Sequence, residues 1–189
     1  MKILVVSSSL DPHSRSERVA RRCLELLSDL GGEAEFLSLK EHPLPAFGSA
    51  RCQDVPAYHA LHAAVLAVDG LVLASPIYNW SSCGELKKFI EHAGSTDEVT
   101  RGAFYDKVVT FVHAAGLPHS YMAGMSLAVP LMLDFKCIIN PYSVYVHNRH
   151  WEGETLLEEA EGKLLRAMTV MRELTLLLSQ RTYVSEWGV

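Results

Sequence analysis

Five short runs of aliphatic and branched residues, each followed by a stretch of helical periodicity, constrain this chain more than any other feature it has. The first run, Ile3-Leu4-Val5-Val6, is continuous rather than alternating, which suits a strand buried on both faces of a sheet. Residues 14–30 then read as a helix, with Val19, Cys23, Leu26 or Leu27 and Leu30 along one face and Gly31-Gly32 as its stop. Residues 33–39 alternate as a second strand, and Pro56 stands in the first turn of a helix running to about Val68. A third strand at 71–75, a short helix at 84–92 and a fourth strand at 107–113 follow. The helix from about 119 to 136 carries Pro130, which is expected to end or kink it. A fifth strand at 143–146 leads to a long closing helix at 154–179, with Leu157, Ala160, Leu164, Met168 and Met171 on its inner stripe.

Strand and helix alternating five times imply an α/β chain, a parallel sheet between two helical layers. Right-handed crossovers leave few arrangements for five strands. The commonest is the flavodoxin-like three-layer sandwich, a five-stranded parallel sheet of order 2-1-3-4-5. No linker interrupts the pattern, so residues 1–189 are expected to form one domain. With 49% hydrophobic and 21% charged residues, the chain can fill such a core. Open α/β sheets bind ligands outside the carboxyl ends of their strands, near the switch between strands one and three. The loops after Ser7, Ser75 and His113 are therefore the candidate site.

Charge and targeting signals narrow the function. A net charge of −5, with no basic run longer than Arg21-Arg22 or Lys87-Lys88, argues against nucleic acid and against a polybasic membrane anchor. The apolar run before Ser7 is far shorter than the roughly 7–15 residues of a secretory core. The stretch 122–133 is too short for a membrane span and contains Ser126 and Pro130. Cys23, Cys52, Cys83 and Cys137 are widely spaced, with no CxxC, and read as reduced thiols of a cytoplasmic protein. His59 and His62 share a helix face but bring no Cys or carboxylate ligand, so no metal is expected.

The first loop, Ser8-Ser9-Leu10-Asp11-Pro12-His13-Ser14-Arg15-Ser16, joins a strand to a helix. Serine hydroxyls and backbone N–H groups at a helix N-terminus form an anion site, and Arg15 adds a cation. The loop lacks both GxGxxG and GxxxxGK[ST], which points to a terminal monophosphate rather than a pyrophosphate or a magnesium-bound triphosphate. The plainer alternative is that Ser14 or Ser16 only caps the helix. The second loop, Pro76-Ile77-Tyr78-Asn79-Trp80-Ser81-Ser82-Cys83-Gly84, offers rigid, aromatic and amide residues suited to a planar heteroaromatic ring. Alternatively, Tyr78 and Trp80 only pack on neighbouring elements. The third loop, His113-Ala114-Ala115-Gly116-Leu117-Pro118, supplies small residues and N–H groups for the other edge of such a ring. His113 could act as an acid, but a lone histidine ending a strand is more often structural or solvated.

Residues 75–90 carry the pattern P-x-Y-N-x-S-x-x-G-x-L-K, from Pro76 to Lys87. This resembles the signature of the NAD(P)H-dependent FMN reductase family, and the first loop resembles that family's phosphate loop. Its Ser14-Arg15-Ser16 ending is similar to FMN reductases of the alkanesulfonate-utilisation type. Ser8 stands where the family usually has glycine, and Asp11 where it usually has arginine. Asp11 is expected to point outward or cap a turn, and the choice between NADPH and NADH stays open. By position, the resemblance implies that Ser9, Ser14, Arg15 and Ser16 hold the FMN phosphate. It implies that Pro76, Tyr78, Asn79, Trp80 and Ser81 frame the isoalloxazine, and that Ala115 and Gly116 meet its pyrimidine edge through the backbone. The activity implied is a flavin reductase moving hydride from NADPH or NADH to FMN, with no obligatory catalytic side chain. The alternatives are a quinone, azo or metal-oxyanion reductase, a flavodoxin-like electron carrier, or a module that has kept the fold and lost the flavin. The resemblance also implies a homodimer or homotetramer, and the tail at 183–189 carries apolar residues past the last helix.

Overall fold

The structure, a computed structural model, describes residues 1–95 and 101–185. β1 (Lys2–Ser7) is an interior strand of the sheet, and its apolar run serves two cores, Leu4 and Val6 on one side and Ile3 and Val5 on the other. α1 (Arg15–Asp29) buries Val19, Cys23 and Leu27 against the second of these, and the chain turns away at Gly31, with φ +73°. β2 (Glu33–Ser38) pairs parallel with β1 along its whole length. α2 (Pro56–Leu66) covers the first core with Tyr58, Leu61 and Val65. β3 (Gly70–Tyr78) pairs with the other side of β1 as far as Ala74, then runs on past the end of β1 toward the loops. Pro76 falls in this overhang, where β1 has ended and no neighbour on that side needs its missing N–H.

The segment expected as one loop at 76–83 is thus partly strand. β4 (Ser81–Ser82) folds back on Ile77 and Tyr78 as a hairpin, and α3 (Gly84–Ala93) follows. β5 (Val108–Ala114) pairs parallel with β3. α4 (Met125–Phe135) begins later than the periodicity suggests, because 115–124 forms turns around Gly116, Pro118 and Gly124. Pro130 lies exposed inside α4 without ending it. β6 (Ile138–Ile139) and β7 (Val144–Val146) both pair parallel with β5. β8 (Trp151–Glu152) and β9 (Thr155–Leu156) form a hairpin whose turn holds Gly153 at φ +60°. This hairpin displaces the start of the closing helix, α5 (Glu158–Ser179), and leaves Leu157 part-exposed at its N-cap.

The order across the sheet is β2-β1-β3-β5, with β6 and β7 sharing the next lane. The expected order 2-1-3-4-5 therefore holds once that lane is counted as one interrupted strand. Between paired positions β5 advances by three residues, Val109 to Val112, while its neighbour advances by five, Ile139 to Val144. Asn140 is buried in the resulting break. Its Nδ2 donates to Thr110 Oγ1 at 2.9 Å and to the Ala167 carbonyl of α5 at 3.0 Å, and its Oδ1 accepts the Tyr142 N–H at 2.9 Å. The interruption is thus pinned rather than loose.

The chain closes at the amino ends of the strands. The Ser185 N–H donates to Asp106 Oδ2 at 3.1 Å, its hydroxyl donates to Asp106 Oδ1, and Arg101 holds its carbonyl at 2.5 Å. Residues 186–189 of the apolar tail lie outside the described residues. Among the described residues no helix is long and apolar enough to cross a membrane.

Candidate functional site

The carboxyl ends of β1, β3, β5 and β7 meet around a cleft of about 340 Å³. Its floor is the loop that leaves β1. Ser8 is buried; its N–H and its hydroxyl both donate to the Ala74 carbonyl, at 3.0 and 2.9 Å, and its Oγ lies 3.2 Å from Cys83 Sγ. A serine fits there because its hydroxyl turns inward, which ties the first loop to the start of α3. Ser9 is also buried and its Oγ accepts the Asp11 N–H at 3.2 Å, so the hydroxyl proton remains to be donated. Asp11 caps a turn, as expected, with Oδ1 accepting the His13 N–H at 2.8 Å.

Ser14 is the N-cap of α1, and its Oγ accepts the Glu17 N–H at 3.2 Å. The same oxygen lies 2.8 Å from Ser16 Oγ. Two hydroxyls joined by one hydrogen bond use one proton between them and keep one to offer an anion. The first-turn N–H groups of Arg15 and Ser16 have no intrahelical acceptor. Capping and anion binding are therefore compatible at this end of α1, and the two readings of these serines do not exclude each other.

The second loop supplies a wall and a tip. Pro76 and Tyr78 line the cleft, and Tyr78 is exposed. A second recess of about 230 Å³ lies on the other side of these two residues, against Leu10, Cys83 and Glu85. Asn79 and Trp80 form the two-residue turn of the β3–β4 hairpin, at φ +49° and +66°. They and Ser81 stand clear of the cleft walls, and the Trp80 side chain is 68% exposed. An indole held outward in the left-handed region carries strain of about 1–2 kcal/mol.

The third loop contributes less than expected. Ala115 and Gly116 line the cleft, but the Ala115 N–H already donates to the Val146 carbonyl at 2.9 Å. Only Gly116 keeps a backbone donor for a ring edge. His113 does not line the cleft. It is buried and stacks on Phe111 with centroids 5.8 Å apart, and among the described residues neither ring nitrogen meets hydrogen-bond geometry. Burial pushes its pKa down to about 4, against a smaller upward pull from the Ser75 backbone. At neutral pH it is an uncharged imidazole roofed by Gly124, where a Cβ would stand 2.5 Å from Nε2. Its place is structural.

Asn148, on the turn after β7, lines the same cleft and was not a sequence candidate. Its only signal is its position, a polar residue directly after a strand at the pole where the other three loops converge. The outlying histidines His59 and His62 each direct Nε2 to a backbone carbonyl, of Gln53 at 3.0 Å and of Arg101 at 2.9 Å. The four cysteines are free and buried, and burial pushes the Cys23 and Cys137 thiols up to about 12.

Comparison with known proteins gives this geometry a context. No curated protein matches the sequence. Among solved structures, the chain is similar to an NADH:FMN oxidoreductase in its apo form, at 18% identity and a TM-score of 0.73, over 96% of this chain and 91% of that one. It is similar to a flavoenzyme NAD(P)H:(acceptor) oxidoreductase from Paracoccus denitrificans, at 18% identity and a TM-score of 0.72, over 95% and 97% of the two chains. A flavodoxin from Streptococcus pneumoniae is similar at 13% identity and a TM-score of 0.56, over 92% and 97%. These likenesses establish a flavodoxin-like fold. A model of the family described as NADPH-dependent FMN reductase matches residues 1–150, and the chain belongs to that family.

Proposed function

We propose that this chain reduces FMN with hydride from NADPH or NADH, in one flavodoxin-like domain spanning residues 1–189. Family membership gives the reaction class, an NAD(P)H-dependent oxidoreductase that uses FMN. The observation that carries the reading is the joining of an anion cradle at the start of α1 to the Pro76–Tyr78 wall in one cleft. The residues fit a terminal phosphate monoester. Buried Ser9 keeps its hydroxyl proton to donate and the Ser14–Ser16 pair keeps one between them, Arg15 brings a cation, and two first-turn N–H groups of α1 have no intrahelical acceptor. Bound flavin supplies the hydride chemistry through its own ring. The protein's share is to hold it. Pro76 and Tyr78 would flank the ring, Gly116 would offer its free N–H to the pyrimidine edge, and Asn79, Trp80 and Ser81 would frame it from the hairpin tip. No side chain is assigned a proton transfer.

The Ser14-Arg15-Ser16 ending supports the likeness to FMN reductases of the alkanesulfonate-utilisation type. The free, buried thiols support a reducing compartment, the cytoplasm. A homodimer is supported by the outer face of α4, where Met125, Val129, Met132 and Leu133 are exposed and Asp134 is the one charge on the helix.

An anaerobic absorbance titration of protein reconstituted with FMN, with NADH and NADPH in separate runs, tests the reading. Rapid bleaching of the flavin band by either nucleotide is expected. Bound flavin that neither nucleotide reduces would overturn the reductase in favour of an electron carrier, and failure to bind FMN would overturn the cofactor seat.

A further inference from the structure

Four arginines project from α1, and three of them face carboxylates. Arg18 meets Glu154 at 2.6 Å, Arg21 meets Glu17 at 2.7 Å, and Arg22 meets Glu25 at 2.8 Å and Glu161 at 2.9 Å. Arg15 differs. Its Nη1 donates to Asn148 Oδ1 at 2.5 Å, and its guanidinium carbon lies 5.4 Å from the centroid of the Trp151 ring. Among the described residues it forms no ion pair, and Asp11, the carboxylate of the same loop, accepts the His13 N–H instead. Both partners of Arg15 are uncharged, so its charge is fixed in place and not cancelled.

We infer that Asn148 is a positioning residue of the anion site, holding Arg15 at the mouth of the cleft through a neutral acceptor so that its full charge remains for a phosphate monoester. This rests on reading the cleft as the FMN seat. Asn148 can do it because its backbone is braced. The His147 N–H donates to His150 Nδ1 at 3.2 Å, the Arg149 N–H donates to His147 Nδ1 at 3.4 Å, and the two rings lie 4.0 Å apart. Trp151, the other support of Arg15, opens the β8–β9 hairpin immediately after. On the cleft side, Asn148 Nδ2 is 3.9 Å from the place a Gly116 Cβ would take, so the residue bridges the first and third loops. A guanidinium has five N–H donors, and one bond to Asn148 leaves four. An aspartate at 148 would have the same shape and accept the same hydrogen bond, but it would cancel the charge.

The test compares Asn148→Asp and Asn148→Ala with the unsubstituted protein, by fluorescence titration with FMN and with riboflavin, which lacks the phosphate. Asn148→Asp is expected to weaken FMN binding about tenfold and flatten its salt dependence, with riboflavin affinity unchanged. Asn148→Ala is expected to weaken FMN less, since it frees Arg15 without neutralising it. FMN affinity unchanged in Asn148→Asp would overturn the inference. So would equal losses of FMN and riboflavin in both variants, the mark of a merely structural residue. If instead the unsubstituted protein bound riboflavin as tightly as FMN, the phosphate seat itself would fall, before any variant was measured.

Discussion

At the scale of single residues, His113 shows how burial of an ionisable ring becomes a pH-dependent weakness. Its folded pKa, down to about 4, lies below the ordinary 6.5. Between those values the unfolded chain takes up a proton that the folded chain refuses. Stability conferred by the neutral imidazole is therefore complete above 6.5 and falls as pH drops toward 4, by at most roughly 3 kcal/mol. His113→Leu, which removes two unsatisfied nitrogens in similar volume, is expected to keep or raise Tm at pH 7. It is also expected to flatten this part of the acid slope, as thermal melts between pH 4 and 7 would register; an unchanged slope would assign the acid sensitivity elsewhere. That Ser9, Ser14, Arg15, Ser16, Pro76 and Tyr78 line one cleft was legible because a serine-rich strand-to-helix junction and a Pro-Ile-Tyr segment stand directly after strands in the local sequence, whereas the hairpin that carries Asn79, Trp80 and Ser81 clear of the walls was not. Two features of the third loop's surroundings were not. Ala115 loses its N–H to Val146, and Asn148 reaches Arg15, only through the pairing of β7 with β5. That register depends on the break around Asn140, which no local periodicity announces.

At the scale of elements, the β3–β4 hairpin concentrates the conflict between stability and use. Its turn needs positive φ at both central residues, a geometry that suits Asn79 tolerably and Trp80 poorly. Trp80→Gly is expected to raise Tm by about 3 °C as strain of about 1 kcal/mol is relieved. The same change is expected to weaken flavin binding roughly fivefold by removing an aromatic surface. A melt and a flavin titration on one preparation check both, and unchanged flavin affinity would take Trp80 off the ring-facing surface. The elements themselves were mostly readable: β1, α2, α3 and β5 fall within about two residues of their periodic patterns. The misplacements have local causes. Gly116, Pro118 and Gly124 break what looks like an early start to α4, and the Gly153 turn converts the expected first turn of α5 into a hairpin. Pro130 keeps its helix because its exposed ring leaves the inner face, Leu127 and Leu131, to pack.

At the scale of the whole molecule, the outer face of α4 is the least explained surface of an isolated chain. Leu117, Tyr121 and Met122, in the turns that precede α4, are exposed as well. Val129→Glu places a charge in the middle of this face. Light scattering on the eluting protein is expected to show a dimer for the unsubstituted chain and a species near 21.0 kDa for the variant. A monomer from the outset would remove the dimer, and a variant that remains dimeric would move the interface to another face. The clasp of Ser185 on Asp106 has a practical corollary. Asp106 precedes β5, so the clasp on Ser185 lies at the pole opposite the cleft. A tether attached beyond Ser185 would orient immobilised molecules on an electrode or a bead with their clefts turned to the bulk solution.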